Sequence, residues 1–190
     1  MYYHASKIPD IKILEPHISN HGRPLVYFST KRENVLVYLS NAIEKFCNET
    51  GFIYNGTWTK WGSYGFDKVG ILFLEEYYPN ALIETYSGVS GYIYYAEKIN
   101  ASCNDIEIAD AVAVSEQVMV DGFEFISDAY TEILKSADKG EIKLVKYDQH
   151  SENKLNWIRK TIVNEYNDLG IKSDYKYFLE NKFPYVMQSK

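Results

Sequence analysis

The stretch LVYFSTKRENVLVYLSNAIEKFCNET, residues 25–50, changes from a strand pattern to a helix pattern within a few residues. Residues 25–30 are apolar, β-branched and aromatic, which is typical of a buried strand. The following apolar residues recur at helical spacing, at Val35, Leu36, Leu39, Ile43 and Phe46. Ser29 or Thr30 is a suitable N-cap. We therefore predict a strand that leads directly into a helix over residues 31–50.

Further short patterns flank this unit on both sides. The upstream segment YYHAS, residues 2–6, is predicted to be a strand, and a loop rich in proline follows it. Downstream, the pair Asn55-Gly56 lies between aromatic runs and predicts a β-hairpin. Strand patterns then recur over residues 69–78, 90–99 and 110–126.

The order of these elements predicts the fold class. Strand, loop, strand and helix are followed by several strands and then by helices, without regular β-α-β alternation. This order favours an α+β fold with a mainly antiparallel sheet and flanking helices. We expect one α+β domain over residues 1–145. Residues 146–190, here called the C-terminal tail, are expected to form a helical extension packed on that domain.

Composition excludes several classes of protein. The 190 residues carry a net charge of −6 and no basic run, which argues against a strong nonspecific nucleic-acid partner. No stretch of 18 uncharged apolar residues is present, and no membrane partner is expected. The first residues do not resemble a secretory signal, and the two cysteines are isolated from each other. We therefore expect a cytoplasmic protein with free thiols.

Three short pieces together resemble the ADP-ribosyltransferase superfamily, in its His-Tyr-Glu branch, which contains the poly(ADP-ribose) polymerases. The first is His4-Ala5-Ser6, where that family ends its first core strand in His-Gly-Ser or His-Gly-Thr. The second is Val26-Tyr27-Phe28 with Tyr38, which resembles the family's strand and the second tyrosine of its next helix. The third is Glu116 in SEQVMV, which resembles the family's catalytic glutamate at the start of a strand.

The resemblance implies a split sheet with a cleft, and NAD as the substrate, without a metal. Its implied activity is transfer of ADP-ribose from NAD to an acceptor that the sequence does not identify. The implied catalytic residues are Glu116, Tyr27 and His4. The implied cofactor-binding residues are His4, Ala5, Ser6, Tyr27, Ser29 and Tyr38. We expect Tyr27, Tyr38 and Glu116 to face one cleft, with His4 at its rim.

The chemistry of NAD cleavage explains these residue types. Breaking the bond between nicotinamide and ribose builds positive charge on the sugar, which a carboxylate such as that of Glu116 would stabilise. Tyrosine rings suit a planar cationic ring, and Tyr27 and Tyr38 would supply them. A histidine at the end of a strand, such as His4, can bond a ribose hydroxyl. It can equally bond a backbone carbonyl in a purely structural role.

An alternative function remains open on the same fold. Ala5 replaces the family's glycine, and Val35 stands where many members have a serine that binds the nicotinamide amide. Both departures favour a catalytically inactive module that binds a nucleotide or a protein.

Other candidate sites have weaker support. His17 and His21 are four residues apart, but the prolines and glycines around them indicate a loop, so a metal site is not expected. Glu75 and Glu76 are adjacent on a strand and therefore point to opposite faces, which argues against a glycosidase pair. Lys31, like Arg23, could meet a pyrophosphate.

Overall fold

The computed structural model describes residues 1–18, 22–58, 64–100, 110–168 and 170–188. Within these residues the chain combines helices with antiparallel strands, which confirms the α+β class. The strands are β1 Tyr2–Ser6, β2 Ile13–Leu14, β3 His17–Ile18, β4 Pro24–Ser29, β5 Tyr64–Phe66, β6 Leu72–Glu75, β7 Gly91–Ala96, β8 Ala111–Val114, β9 Val118–Met119, β10 Gly122–Ile126 and β11 Ile142–Val145. The α-helices are α1 Ala42–Thr50, α2 Ala81–Tyr86, α3 Ala129–Asp138, α4 Glu152–Tyr166 and α5 Ser173–Lys182.

The largest sheet has six strands in the order β10-β7-β1-β4-β3, and β8 pairs with β4 as well. β1 pairs with β7 along its whole length, from Tyr2 opposite Ala96 to Ser6 opposite Tyr92. The ladder between β1 and β4 is much shorter, with the single pair Tyr3 and Ser29. The two strands that carry the His4 and Tyr27 motifs are therefore neighbours joined at one end only.

Two smaller sheets complete the strand pairing of the described residues. One has the order β11-β6-β5, and the other consists of β2 paired with β9. In the second, Ile13 lies opposite Met119 and Leu14 opposite Val118. This pairing ties the loop after β1 to the segment that follows β8.

The chain divides into two compact units, and one of the boundaries between them, at residues 143 and 144, lies close to the expected boundary near residue 145. The first unit contains residues 1–39, 66–72 and 86–143. The second unit contains residues 40–65, 73–85 and 144–190. Residues 40–65 and 73–85 therefore belong to the same unit as the C-terminal tail, instead of to the domain that was expected over residues 1–145.

The helix expected over residues 31–50 forms in two pieces. A 3₁₀ helix covers Glu33–Leu39, and α1 begins at Ala42 after a break. Asn41 is the N-cap of α1, because its side chain accepts hydrogen bonds from the backbone amides of Ile43 and Glu44. An asparagine cap satisfies amides at the start of a helix that would otherwise lack acceptors. The sequence prediction missed the start of α1, because the apolar spacing continues without interruption from the 3₁₀ helix into α1.

Arg32 connects the start of this 3₁₀ helix to two other elements of the first unit. Its guanidinium donates to both carboxylate oxygens of Glu124 on β10, at 2.7 and 2.6 Å, and to Glu132 on α3, at 3.1 Å. These hydrogen bonds to Glu124 are the main reason that the pKa of Arg32 is raised. A bidentate ion pair of this kind fixes the relative orientation of the two side chains in addition to attracting them to each other. The 3₁₀ helix is consequently held against the sheet.

The hairpin expected at Asn55-Gly56 is not present in the part of the region that the structure describes. Residues 52–58 form no strand, although Gly56 has the positive φ of 75° that a tight turn uses. Residues 59–63 lie outside the described residues. Asp174 of α5 organises the loop instead, accepting from the Asn55 amide at 2.9 Å and the Thr57 hydroxyl at 2.7 Å.

The C-terminal tail is helical, as the sequence predicts, and it builds the core of the second unit. α4 buries Ile158, Ile162 and Tyr166, while α5 buries Phe178 and Leu179. These side chains pack in one cluster with residues of α1 and with Tyr78 and Ala81. Among the described residues, no helix has the length and apolar character that a membrane crossing requires.

Candidate functional site

His4 lies at the place where β1 and β4 meet. Its Nδ1 is 2.9 Å from the backbone carbonyl oxygen of Tyr27. Its ring centroid is 6.0 Å from that of Phe28. This bond links the two strands next to their single backbone pair of Tyr3 and Ser29. The structural role that the sequence allowed for His4, a hydrogen bond to a backbone carbonyl, is therefore the one observed.

Burial keeps the His4 ring neutral, and the bond to Tyr27 determines which of its nitrogens carries the proton. Burial lowers the pKa of His4, the Tyr27 carbonyl acts in the opposite direction, and nearby His17 lowers it further. The net shift is downward, so the ring is neutral at pH 7. A carbonyl oxygen only accepts, so Nδ1 carries the proton. Nε2 is consequently an acceptor, with the right polarity to bind a hydroxyl.

The pleat of the sheet separates the His4 and Tyr27 side chains. Residues directly opposite each other in an antiparallel pair project to the same face, and neighbours along a strand alternate. Ser29 lies opposite Tyr3, so Tyr27, two residues from Ser29, shares the face of Tyr3. His4 follows Tyr3 and projects to the other face, with Phe28. We call these two sides the Tyr27 face and the His4 face.

The His4 face is filled by core side chains next to β4. Val26 and Phe28 are buried there in a cluster with Leu14, Val114 and Val118. Close packing of this kind leaves no space for a ligand beside Phe28.

On the Tyr27 face, Ser29 and Ala113 are buried and Tyr27 itself is half-buried. Tyr27 is only half-buried, and the residue directly opposite it on β8 is Ala113. On β1 the same face carries Ala5, two residues beyond Tyr3, and Ala5 is also half-buried. An alanine thus lies opposite Tyr27 on β8, and another lies on the same face of β1.

The hydroxyl of each serine in the predicted cofactor site accepts a hydrogen bond from the backbone amide two residues later. Ser6 Oγ accepts from the backbone amide of Ile8 at 3.1 Å. Ser29 is buried, and its Oγ accepts from the amide of Lys31 at 3.1 Å. Both bonds stabilise the turn that follows a strand. Ser29 is therefore a turn residue, and not the N-cap of a helix.

Tyr38 lies on the 3₁₀ helix Glu33–Leu39, which packs against β1 and β4. Its side chain is 43 % exposed, whereas Val35 on the same helix is buried. Tyr38 lies near Tyr86, whose pKa is raised by burial and, to a smaller extent, by Tyr38. The structure therefore brings the element that carries Tyr38 to the strands that carry Ala5 and Tyr27.

Glu116 does not share a cleft with Tyr27. It is exposed in the bend between β8 and β9 and lines a cavity of about 460 Å³ with Glu97, Val114 and Val118. Val114 lies opposite Val26 and therefore projects to the His4 face. The cavity that Glu116 lines thus adjoins Val114, whereas Tyr27 projects to the other face of β4, and the structure gives no support to the expected shared cleft.

Asp110 is a carboxylate near Tyr27 that sequence reasoning missed. It directly precedes β8, whose Ala111 lies opposite Ser29. Its carboxylate accepts from the Thr30 hydroxyl at 3.1 Å and pairs with Lys31 Nζ at 2.9 Å. Asp110 has a positive φ of 61°, a conformation that costs energy for a residue other than glycine. Its side chain remains 29 % exposed.

A signal for Asp110 was present in the sequence. The general pattern of an acidic residue followed by apolar strand residues fits Asp110-Ala111-Val112-Ala113-Val114 as well as it fits the segment after Glu116, although the residue is an aspartate and not a glutamate. Strand pairing distinguishes the two, because β8 begins at Ala111 and pairs with the Tyr27 strand. Lys31, considered as a pyrophosphate ligand, instead pairs with Asp110 and donates to the Gly70 carbonyl at 3.1 Å.

The carboxylates of Glu75 and Glu76 have separate partners. Glu75 accepts from Lys154 at 3.0 Å. Buried Glu76 accepts from the backbone amides of Leu82 and Tyr147, at 3.2 and 3.1 Å. They form no catalytic pair.

Neither the remaining candidate residues nor the comparisons with known proteins assign a ligand or a function to this chain. His17 is exposed on β3, and His21 lies outside the described residues. Within the described parts of the chain, no group of three or more His, Cys, Asp or Glu side chains could hold a metal ion. No family model, no curated protein and no solved structure matches this chain.

Proposed function

We propose that this chain is a binding module for NAD or a related nucleotide, which it holds on the Tyr27 face without transferring ADP-ribose. The observation that carries the proposal is the half-buried Tyr27 ring with Ala113 opposite it and Ala5 on the same face of β1. A flat aromatic surface next to small residues suits a planar base or nicotinamide ring. Such stacking contributes about 1–3 kcal/mol per ring.

The position of Glu116 supports binding without turnover. Cleavage of NAD breaks the bond between nicotinamide and ribose, and the leaving nicotinamide takes the electron pair. The positive charge left on the sugar needs a carboxylate beside it. Glu116 lines a cavity on the His4 face, and a ligand on the Tyr27 face would be separated from it by the sheet. The resemblance to ADP-ribosyltransferases supports the class of ligand.

NAD should bind to the wild-type protein in a calorimetric titration, and no nicotinamide should be released. Tyr27→Ala should weaken the binding about 10-fold or more, because the stacking surface is lost. Ala5→Leu should weaken it similarly, because it adds a large side chain to the Tyr27 face of β1. Tyr130→Ala, which removes a half-buried tyrosine of α3, is the matched control and should bind NAD normally. Equal binding by all four proteins would contradict the proposal.

A second candidate function is favoured by Asp110. It is the active transferase, with Asp110 as the carboxylate in place of Glu116. The supporting observation is the strained backbone of Asp110 at the end of the Tyr27 strand, where Lys31 pairs with its side chain. Strained residues of this kind are concentrated at functional sites. Here the ribose carbon would form its new bond to the acceptor oxygen, and the acceptor proton would pass to solvent.

The two candidates predict different results for a pair of carboxylate variants. If the chain is a transferase, Asp110→Asn should lower the rate of nicotinamide release about 100-fold, while Glu116→Gln leaves it unchanged. Glu116→Gln is the matched control, because it makes the same chemical change at an exposed carboxylate. Release that depends on Glu116 but not on Asp110 would contradict both candidates. No release from the wild-type protein, with NAD bound, would exclude the transferase.

A further inference from the structure

The strand β10 is an unprotected edge of the six-stranded sheet. Among the described residues it pairs only with β7, so its other side presents backbone N–H and C=O groups that no strand covers. Proteins usually protect such an edge by keeping the strand very short or by placing a proline or a lysine on it. β10 is five residues long, and its sequence GFEFI contains neither lysine nor proline. Its one charged residue, Glu124, is already bound by Arg32 of the same chain.

The opposite edge of the same sheet is protected. There β3 has only two residues and follows directly on Pro16. Its neighbour β8 carries only alanine and valine side chains, of which Ala113 and Val114 are buried. The contrast between the two edges indicates that β10 is left open for a partner strand.

Two exposed phenylalanines lie along the open edge. Phe123 is 43 % exposed and Phe125 is 55 % exposed. Phe123 lies opposite Tyr94, which in turn lies opposite His4, so both phenylalanines of β10 project to the His4 face. Their rings contact that of Tyr92, with centroids 5.4 and 5.3 Å away. Exposed aromatic rings beside an open strand edge are typical of a surface that another strand covers.

We propose that β10 pairs antiparallel with β10 of a second copy of this chain, which joins the two sheets across a twofold axis. The sequence Phe123-Glu124-Phe125 supports this choice of partner, because it reads the same in both directions. With the axis at Glu124, Phe123 of each copy lies opposite Phe125 of the other, and aromatic cross-strand pairs stabilise a sheet. The two Glu124 carboxylates meet at the axis, and each is neutralised by the bidentate bonds from its own Arg32. Because both copies use the same edge, the assembly closes at two chains.

The wild-type protein should be in equilibrium between monomer and dimer. A contact limited to one edge strand of each copy is small for a protein interface, so we expect a Kd of about 10–100 µM. Sedimentation at concentrations from about 1 to about 500 µM should show the average mass rising from that of one chain, 22.1 kDa, toward twice that value. A wild-type protein that stays monomeric throughout this range would overturn the inference and leave the edge to a strand of a different protein.

Two charged variants test the register. Phe123→Lys and Phe125→Glu should each weaken dimerisation about 10-fold or more, because a charge on an edge opposes strand pairing. Mixing the two variants should restore a dimer, because the proposed register places the introduced lysine opposite the introduced glutamate and keeps one pair of phenylalanines intact. Sedimentation of a fluorescently labelled variant in the presence of the other measures the mixed dimer. A purely structural effect of either substitution would not be rescued by mixing.

Ile18→Lys is the matched control, because it introduces the same charge at an exposed apolar residue on the opposite edge of the sheet. It should dimerise like the wild type. An equal loss in Ile18→Lys, or unchanged dimerisation of both phenylalanine variants, would overturn the inference, since the dimer would then not form through β10. A mixture of Phe123→Lys and Phe125→Glu that stays monomeric would also overturn it. Far-UV circular dichroism checks that each variant is folded.

Discussion

Asp174→Ala should lower the free energy of unfolding by about 3–5 kcal/mol, because it leaves buried donors without an acceptor. The Asp174 side chain is fully buried in the second unit. It accepts hydrogen bonds from the Thr57 hydroxyl at 2.7 Å and from the backbone amides of Asn55, Thr57 and Tyr175. Urea unfolding at pH 7 measures the loss.

The contribution of Asp174 should depend on pH. Burial acts to raise the pKa of Asp174, but the hydrogen bonds from Thr57, Asn55 and Tyr175 outweigh it and lower the pKa. A carboxyl with a lowered folded pKa stabilises the protein fully above its unfolded pKa of about 3.9. That stability is lost as the pH falls through the folded pKa. The difference between wild type and Asp174→Ala should therefore shrink as the pH falls below about 4.

Asp148→Asn is the matched control for this experiment, because Asp148 is an exposed carboxylate of the same unit. It should change the free energy of unfolding by no more than about 0.5 kcal/mol. A comparable loss in both variants would show that net charge, and not the hydrogen bonds of Asp174, is responsible.

Phe178→Ala should cost about 3–5 kcal/mol of unfolding free energy. Phe178 of α5 is fully buried in the core of the second unit. Its ring meets those of Phe46 and Tyr78 edge to face, with centroids 5.6 and 6.1 Å away. Truncation removes these contacts and leaves a cavity that rigid neighbours fill only partly. Urea unfolding followed by far-UV circular dichroism measures the effect.

Trp157→Ala is the control for Phe178, because Trp157 is an aromatic residue of the C-terminal tail with about half its surface exposed. Its ring contacts Tyr77 and lies 4.6 Å from Lys154 Nζ. We expect a loss of about 1 kcal/mol. Equal losses in the two variants would contradict the assignment of Phe178 to the core of the unit.

Much of the secondary structure could be predicted from local sequence patterns. The apolar and aromatic run before Lys31 forms β4, and the helical spacing in the C-terminal tail forms α4 and α5. Such patterns act over one element, because alternation and helical spacing are local properties. The break between the 3₁₀ helix and α1 was missed, since Asn41 caps a helix inside an uninterrupted apolar repeat. The loop at residues 52–58 was missed because the side chain that holds it by hydrogen bonds, that of Asp174, lies more than 100 residues away in the sequence.

The sequence by itself determined the α+β class, the strands of His4 and Tyr27, and the helical C-terminal tail. It also predicted Tyr27 and Tyr38 as the flat rings beside a planar ligand. Only the tertiary structure decided which of the candidates lie together. A shift of one residue in a strand moves a side chain to the opposite face, and strand register depends on partners that are distant in sequence. The pairing of Tyr3 with Ser29 therefore put His4 and Tyr27 on opposite faces of the sheet. The pairing of Val26 with Val114 put the Glu116 cavity on the His4 side. The pairing of Ala111 with Ser29 brought Asp110 to the end of the Tyr27 strand.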